Sequence, residues 1–355
     1  MKNNITKKIS VGIVGGSGYV AGELLRCLIN HPHTEIDFIY SHSHSDKKIS
    51  EIHTDLFHSD LVFSQKVNPQ IDIVFLCLGH GNSTRFLLEN QFSETTKIID
   101  LSNDFRLNKD KILKVKTIKD EEKDLEKNEA KELEFVYGLP EIYSQKIKES
   151  NYIANPGCFA TAIQLGVLPL TKHFPTIKEW HVHALTGSTG AGQSLLETTH
   201  FSWRNENVSI YKPFSHQHLG EIEQSLKDIS QNFEGEINFI PLRGNFTRGI
   251  FASMYVTLEN ENSDKNTSEK EIISIYQDFY KDAPFVKISN KPIDLKQVVN
   301  TNYCLLHIQK IDNKILITSC IDNLLKGAAG QAIENMNLQF DFPQETGLTF
   351  KANYF

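Results

Sequence analysis

Ile9-Ser10-Val11-Gly12-Ile13-Val14-Gly15-Gly16-Ser17-Gly18-Tyr19-Val20-Ala21 sets the architecture of the first part of the chain. Ile9 to Val14 is a short apolar run, which reads as a strand buried in a parallel sheet. Gly15 to Gly18 breaks it. Ala21 to Asn30 follows as a helix, with Leu24, Leu25 and Leu28 on one face. Gly16-Ser17-Gly18-Tyr19-Val20-Ala21 fits the G-x-G-x-x-G/A fingerprint at the join of strand and helix, where that pattern has meaning. Small residues let the backbone approach a pyrophosphate, and the helix N-terminus favours the anion. Gly15, Ser17, Gly18, Tyr19 and Val20 are therefore candidate cofactor contacts. A tight glycine turn with no ligand would use the same residues.

The pattern continues downstream. Ile36 to Tyr40, Ile71 to Leu78 and Lys97 to Leu101 read as strands, and Ser83 to Asn90 as a helix. This alternation argues for a parallel sheet covered by helices on both faces. NAD sites place an acidic residue at the end of the second strand for the ribose 2′-hydroxyl. Here that end reads Ser41-His42-Ser43-His44-Ser45, with Lys47 and Lys48 behind it, and Asp37 lies too early. Hydroxyls and cationic groups suit a 2′-phosphate, so NADP(H) is expected, with Ser41 at that phosphate. Gly79 and His80, where the third strand ends, join the candidate contacts.

A chain of 355 residues exceeds one ordinary core, so two domains are expected. A net charge of −7 with no basic stripe argues against a nucleic-acid partner. No apolar run approaches membrane-spanning length, and no hydrophobic signal region precedes the first strand. Cys27, Cys77, Cys158, Cys304 and Cys320 are scattered and show neither CxxC nor zinc spacing. That fits reduced thiols in a cytoplasmic protein and gives no metal site. Lys109 to Glu134 is dense in charge and reads as a solvated surface excursion. Beyond it longer strand-like runs appear: Trp180 to Leu185, Ile237 to Ile240, Gly249 to Leu258, Tyr303 to Lys310 and Lys314 to Cys320. Helices intervene at His218 to Asp228 and at Glu269 to Tyr280, the latter opened by a capping box at Ser268 and Glu271. A final helix spans Asn323 to Asn337. The fold class is therefore α/β plus α+β: a Rossmann-type dinucleotide-binding domain and a domain on a mainly antiparallel sheet.

Asn155-Pro156-Gly157-Cys158 is a turn followed by a helix-forming run, Phe159 to Leu168. Cys158 thus sits where a helix begins, and the free N–H groups and helix dipole there favour thiolate, the nucleophilic form. A buried, inert cysteine is the alternative. Among fourteen histidines, the pair His216 and His218 precedes a helix, whose N-terminus disfavours imidazolium and leaves a neutral proton acceptor. His181 and His183 alternate along a strand, with one expected packed and the other exposed. The glycine-rich turn Gly187 to Gly192, which includes Gly190, precedes a predicted helix and could offer amides to an anion or cofactor. Asp100-Leu101-Ser102-Asn103-Asp104-Phe105-Arg106 follows a strand end, the ligand-facing edge of a parallel sheet. Ser102 and Arg106 could face substrate there, or Arg106 could pair with Asp104 or another acid. A dinucleotide site with a thiolate and a histidine points to thiolate attack on an activated acyl group, then hydride reduction of the thioester to an aldehyde.

In order and spacing, these blocks resemble the N-acetyl-γ-glutamyl-phosphate reductases of arginine biosynthesis, type 1. The resemblance runs from Gly15-Gly16-Ser17-Gly18-Tyr19 through Asp100 to Leu107, Tyr137-Gly138-Leu139-Pro140-Glu141, Asn155 to Cys158 and Gly187 to Gly192. It continues through His216-Gln217-His218 with Glu221-Ile222, Arg248-Gly249 and Asp322 to Gln331. It implies that Cys158 forms the acyl-enzyme, that His218 is the acid/base, and that the cofactor is NADP. It also implies that the tail helix from Asn323 returns to the nucleotide-binding domain near the nicotinamide. The domains would then be 1–157 with 323–355, and 158–322 for catalysis and oligomerisation. The implied partners are an acyl-phosphate substrate and further copies of the chain, as a dimer or tetramer. The chain departs from the family at Val20-Ala21-Gly22, Gly79 and Gly220, none of which removes a reactive group. An aspartate-semialdehyde dehydrogenase is disfavoured by its different cysteine motif. A lysine-pathway relative acting on an aminoadipyl phosphate is the closer alternative, and the N-acyl group, acetyl or succinyl, is left open. A nucleotide-binding regulator without turnover would have lost Cys158 or His218.

Overall fold

The computed structural model describes residues 8–116, 130–258 and 267–355. Two sheets organise it. The first is six-stranded and wholly parallel, built from β1 (Ile9–Val14), β2 (Thr34–Tyr40), β3 (Ile73–Leu76), β4 (Lys97–Asp100), β7 (Val136–Tyr137) and β8 (Tyr152–Ala154). The strand order is β2-β1-β3-β4-β8-β7. From β1 the chain moves one way to β2, then crosses to β3 on the other side. The crevice at the carboxyl ends of β1 and β3 is thus the topological switch point, where open α/β sheets bind ligands. Helix α1 (Tyr19–Leu28) starts there and buries Ala21, Leu24, Leu25 and Leu28. Its stripe has the helical spacing seen in the sequence. Helices α2 (Asn82–Glu89) and α3 (Pro140–Glu149) complete this unit.

The segment expected as a solvated excursion carries an antiparallel ribbon instead. Strand β5 (Ile112–Lys116) pairs with β6 (Ala130–Glu134), and Leu113, Val115 and Leu133 are buried in a cluster with Phe105 and Phe135. Lysine and glutamate occupy the outer face, at Lys114 and Glu132. Charge density hid a period of two. Residues 117–129 of that run lie outside the described residues.

The second sheet has seven strands in the order β10-β11-β9-β12-β15-β14-β13. They are β9 (Glu179–Thr186), β10 (Ser209–Ile210), β11 (Glu236–Arg243), β12 (Ile250–Thr257), β13 (Val286–Ser289), β14 (Cys304–Ile311) and β15 (Lys314–Ile321). Four of its six pairings are antiparallel. Helices α4 (Cys158–His173), α6 (Leu219–Ile229) and α7 (Glu269–Phe279) belong to this unit, and α4 is buried along almost its whole length between the sheet and its neighbours. The capping box of α7 is made, Ser268 accepting from Glu271 N–H and Glu271 from Ser268 N–H. Helix α4 runs past the predicted end at Leu168, through Pro169. Proline has no N–H for the Leu165 carbonyl. The Tyr280 hydroxyl donates to that carbonyl at 2.7 Å, and Tyr276 donates to Gly166 at 2.6 Å. Tertiary hydrogen bonds thus replace the lost helical one.

The face of this sheet away from α4 carries Tyr255 and Leu316, exposed by 41% and 36%. His181 and His183 both lie there, and His181 stacks on Tyr255. The expectation of one packed and one exposed histidine is corrected. Residues two apart on a strand share a face.

The tail does not start as a plain helix at Asn323. The Asp322 carboxylate accepts from Leu324 and Leu325 N–H, a π-helical turn spans Leu325–Ala329, and α8 (Gly330–Gln339) follows. Helix α8 packs on α1 and α3, with Asn335 donating to Gly138 and Gln339 to Ser150. Lys326, on the π turn, is fully buried between Glu141 of α3 at 2.6 Å and Glu334 of α8 at 2.7 Å. Burial pushes the Glu334 carboxyl up to about 7. Lys326→Met would strand that acid pair in the interior, so we expect a loss of about 3–5 kcal/mol of stability in urea unfolding. A loss under about 1 kcal/mol would show that the triad is structurally idle.

Candidate active site

A cleft of about 510 Å³ lies between the two units. Its wall includes Gly18 to Ala21, Leu78 to His80, Asn155 to Phe159, Thr186 to Gln193, Lys212, the segment His216-Gln217-His218, and Asn323 to Leu324 with Gly327 and Ala328. Cys158, His216, His218, Gly18, Tyr19, Val20, Gly79, His80, Gly190, Asn323 and Arg106 thus share one cavity. Gly15, Ser17, Ser41 and Ser102 lie off its wall. Ser102 is buried and donates to Asp100 at 2.7 Å, and the Ser41 hydroxyl sits 3.4 Å from His44 Nδ1.

The glycine loop is shaped for close approach. Gly15 has φ of +80°, and a Cβ there would lie 2.5 Å from the Cys77 carbonyl oxygen. The amides of Gly15 and Gly16 donate to Tyr40, which pins the loop to β2. The first-turn amides of α1 have no intrahelical partner, and no side chain caps them. Gly18 has open space around its Cα. These features fit a dinucleotide pyrophosphate. Gly22, one departure from the family pattern, makes room for His53, whose Nε2 lies 2.8 Å from the Gly16 carbonyl. The glycine-rich turn Gly187 to Gly192 differs from its reading. Its own residues Ser188–Ala191 form a short 3₁₀ turn, no helix follows directly, and the amides of Gly187, Ser188 and Thr189 are taken by carbonyls of Gly249, Phe246 and Thr247. Asn323 holds that turn in place. Its Oδ1 accepts from Gly249 N–H and its Nδ2 donates to Thr189.

Cys158 is the first residue of α4, and Gly157 is its N-cap without a capping side chain. Burial works against the expected thiolate. Burial pushes the Cys158 thiol up to about 11, against the opposing pull of Arg106 and the N–H groups of Phe159 and Cys158. Desolvation outweighs the guanidinium and the N–H groups at the helix start. His218 lies on the other side of Gly157, and a Cβ on Gly157 would collide with its ring. Burial holds His218 well below the usual histidine range, and His216 and Arg106 add to this. Its Nδ1 is buried with no hydrogen-bond partner. Burial also lowers His216 to about 4, helped by Lys212, and its Nδ1 accepts from His218 N–H. Burial and cationic neighbours, rather than the helix start, favour the neutral form of both imidazoles.

The residue that organises these groups is Glu221, which drew attention in the sequence only as part of a motif. Its carboxylate accepts from Gly157 N–H at 2.9 Å and Tyr137 Oη at 2.8 Å, faces Arg106 Nη1 at 3.3 Å, and lies 3.8 Å from His218 Nε2. Arg106 spends its other nitrogens on the carbonyls of Asn155 and Leu101. The acid paired with it is Glu221. Asp104 instead accepts from Gly81 and Thr84 at the start of α2.

Comparison with known proteins follows the same division. Residues 10–150 match the semialdehyde dehydrogenase NAD binding domain, and residues 158–323 the semialdehyde dehydrogenase dimerisation domain. The N-acetyl-gamma-glutamyl-phosphate reductase of Flavobacterium johnsoniae is 52% identical over 98% of this chain and all of its own length. The chain belongs to the N-acetyl-gamma-glutamyl-phosphate reductase family. A second member, from Christiangramia forsetii, is 51% identical over the same shares. Among solved structures, aspartate semialdehyde dehydrogenase II of Vibrio cholerae, complexed with ASA, has a TM-score of 0.64 at 16% identity. It covers 95% of this chain and 99% of its own. The Candida albicans aspartate semialdehyde dehydrogenase with NADP also gives 0.64, at 15% identity, with 94% and 98% covered. At that distance the likeness shows a shared fold.

Two measurements test the site's electrostatics. Alkylation of Cys158 by iodoacetamide in the free protein, followed by mass spectrometry, is expected to keep accelerating beyond pH 9. A plateau below pH 8 would show that the helix dipole prevails. The buried neutral histidines bind fewer protons folded than unfolded. Their contribution is therefore intact above about pH 6.5 and is lost as pH falls towards 4, by about 1.4 kcal/mol per pH unit for each histidine. His216→Asn should flatten that fall in urea titrations between pH 6.5 and 4.

Proposed function

We propose that the chain reduces N-acetyl-γ-glutamyl phosphate to the 5-semialdehyde and phosphate with NADPH, in arginine biosynthesis in the cytoplasm. The juxtaposition of Cys158 and His218 across Gly157, under the Glu221 carboxylate, carries this reading. Membership of a reductase family of that name supports the substrate.

Neutral His218 takes the Cys158 proton as sulfur attacks the acyl carbon, so that burial raises no standing anion. The carbon–sulfur bond forms, phosphate leaves with the acyl oxygen bond's electrons, and a thioester remains on Cys158. When bound, NADPH supplies the hydride that this thioester needs. Gly18, Tyr19, Val20, Gly79 and His80 would hold it, with Ser41 near its 2′-phosphate and Gly190 and Asn323 near the nicotinamide. The imidazolium of His218, stabilised by Glu221, returns its proton to the oxygen of the tetrahedral adduct. Collapse of that adduct releases aldehyde and regenerates the thiol. The described helices include none long and apolar enough to cross a membrane. The open face around Tyr255 and Leu316 in the dimerisation domain fits assembly as a homodimer or a tetramer.

The test is phosphate-dependent oxidation of N-acetyl- and N-succinyl-glutamate semialdehyde, with NADP and NAD in parallel. Turnover is expected with NADP and only when phosphate is present. Inactivity on both aldehydes would sink the assignment. Cys158→Ser should lose roughly 10³-fold or more in rate with NADP binding retained, and His218→Asn roughly 10²- to 10⁴-fold in kcat. Near-wild-type turnover by Cys158→Ser would refute covalent catalysis.

A further inference from the structure

Among the described residues the cleft wall holds no aspartate or glutamate, although the chain carries a net charge of −7. It does hold Arg204, Lys212 and Arg243 in addition to Arg106. Arg106 is neutralised by Glu221, and Arg248 nearby in the fold is paired with Glu23 and Asp322. No acid pairs with Arg204, Lys212 or Arg243 among the described residues.

Arg204 is the most constrained of the three. It ends the short helix α5 (Phe201–Arg204) and is only 8% exposed. One terminal nitrogen donates to the Thr186 carbonyl at 2.8 Å, at the end of β9. Its Nε is buried and has no partner. Arg243, at the end of the neighbouring strand β11, lies with its guanidinium carbon 4.1 Å from the Tyr211 ring centre. Arg204 and Arg243 repel each other, the second cause after burial of a lowered Arg204 basicity. Two adjacent guanidinium groups, one with a bare buried donor, call for an anion between them. Tyr211 stands between the arginine pair and the reacting end: Arg243 lies against its ring, that ring is 5.7 Å from the ring of His216, and Cys158 and both arginines act on its hydroxyl.

We infer that Arg204, with Arg243 beside it, binds a carboxylate of the substrate away from the reacting carbon and so sets its reach to Cys158. This rests on the function proposed above. The phosphate is joined through one oxygen to the carbon that sulfur attacks, so it must sit at the reacting end. A carboxylate several bonds away suits the Arg204 end. It could be the α-carboxylate or one on the N-acyl group, and both share the fork geometry that guanidinium recognises.

The experiment uses the full-length enzyme and three aldehydes: N-acetylglutamate semialdehyde, its α-methyl ester, and N-succinylglutamate semialdehyde. For Arg204→Gln we expect KM for the preferred aldehyde to rise roughly 10- to 100-fold, with kcat, the KM for phosphate and the Kd for NADP little changed. Loss of the preference for acid over methyl ester would place the α-carboxylate at Arg204. Loss of a preference for succinyl over acetyl would place the acyl carboxylate there. Arg204→Lys should recover part of the affinity, and Arg243→Gln should give the same split if Arg204→Gln is unstable. A rise confined to the KM for phosphate, or unchanged discrimination, would overturn the assignment. If the wild type oxidises none of the aldehydes, the functional reading has failed, and the anion site is still read by alkylation. Iodoacetate should then label Cys158 faster relative to iodoacetamide in the wild type than in Arg204→Gln. An equal ratio in the two would overturn it.

Discussion

The Glu221 carboxylate, buried beneath the Cys158 turn, is the constraint on which the arrangement of the cleft depends. It stands in the first turn of α6, in the second unit, yet its partners come from three segments around the first sheet. Tyr137 ends β7, Arg106 follows β4, and Gly157 closes the turn after β8. One carboxylate therefore sets the position of α4 relative to the strands that carry the glycine loop. Net stability is a poor explanation for such a group. Desolvating an ion pair costs about what the attraction returns, and apolar replacements are often as stable. What an apolar residue could not do is accept the Gly157 N–H and the Tyr137 hydroxyl while presenting charge to His218.

That charge answers a difficulty at the cysteine. The start of a helix lowers a thiol pKa, and burial raises it, and here burial prevails. A standing thiolate is then disfavoured, and the sulfur ionises only with an acceptor beside it. His218 qualifies because burial and its cationic neighbours keep it neutral. Once it takes a proton, the same burial would make the imidazolium costly. Glu221 at 3.8 Å offsets that cost without being displaced, since its other contacts are already made.

The sequence announced the parts of this site that depend on local backbone. Gly15 and the residues through Ala21 were readable because a left-handed glycine and a strand–helix join leave a pattern within a dozen residues. Cys158 was readable because Pro156 and Gly157 mark where α4 starts. Long-range choices left weaker traces. Nothing adjacent to Arg106 tells that its acid is Glu221, 115 residues away, rather than Asp104, two residues back. The ribbon of β5 and β6 was hidden because its alternation runs through lysine and glutamate, which dominate the composition. The helix through Pro169 was hidden because Tyr280, far along the chain, supplies the missing hydrogen bond. Gly187 to Gly192 misled in the other direction. Gly187 admits the backbone of Thr247, and the bonds made there leave no free row of amides for a ligand.

The distribution of charge follows the same logic at larger scale. A net charge of −7 repels an anionic substrate such as the acyl phosphate proposed above. Exposed charges are screened over about 8 Å at physiological ionic strength, so the average matters little at the depth of the cleft. Buried charges are screened much less, and there the wall carries arginine, lysine and histidine and, among the described residues, no acid. The acids nearest in function lie one layer back. Glu221 holds Arg106, and Asp322 holds Arg248 and caps the turn that brings Gly327 against Cys158. Carboxylates thus build the frame from behind while cations face the cavity, a segregation that gives Arg106 its acid from behind and leaves Arg204 and Arg243 with none.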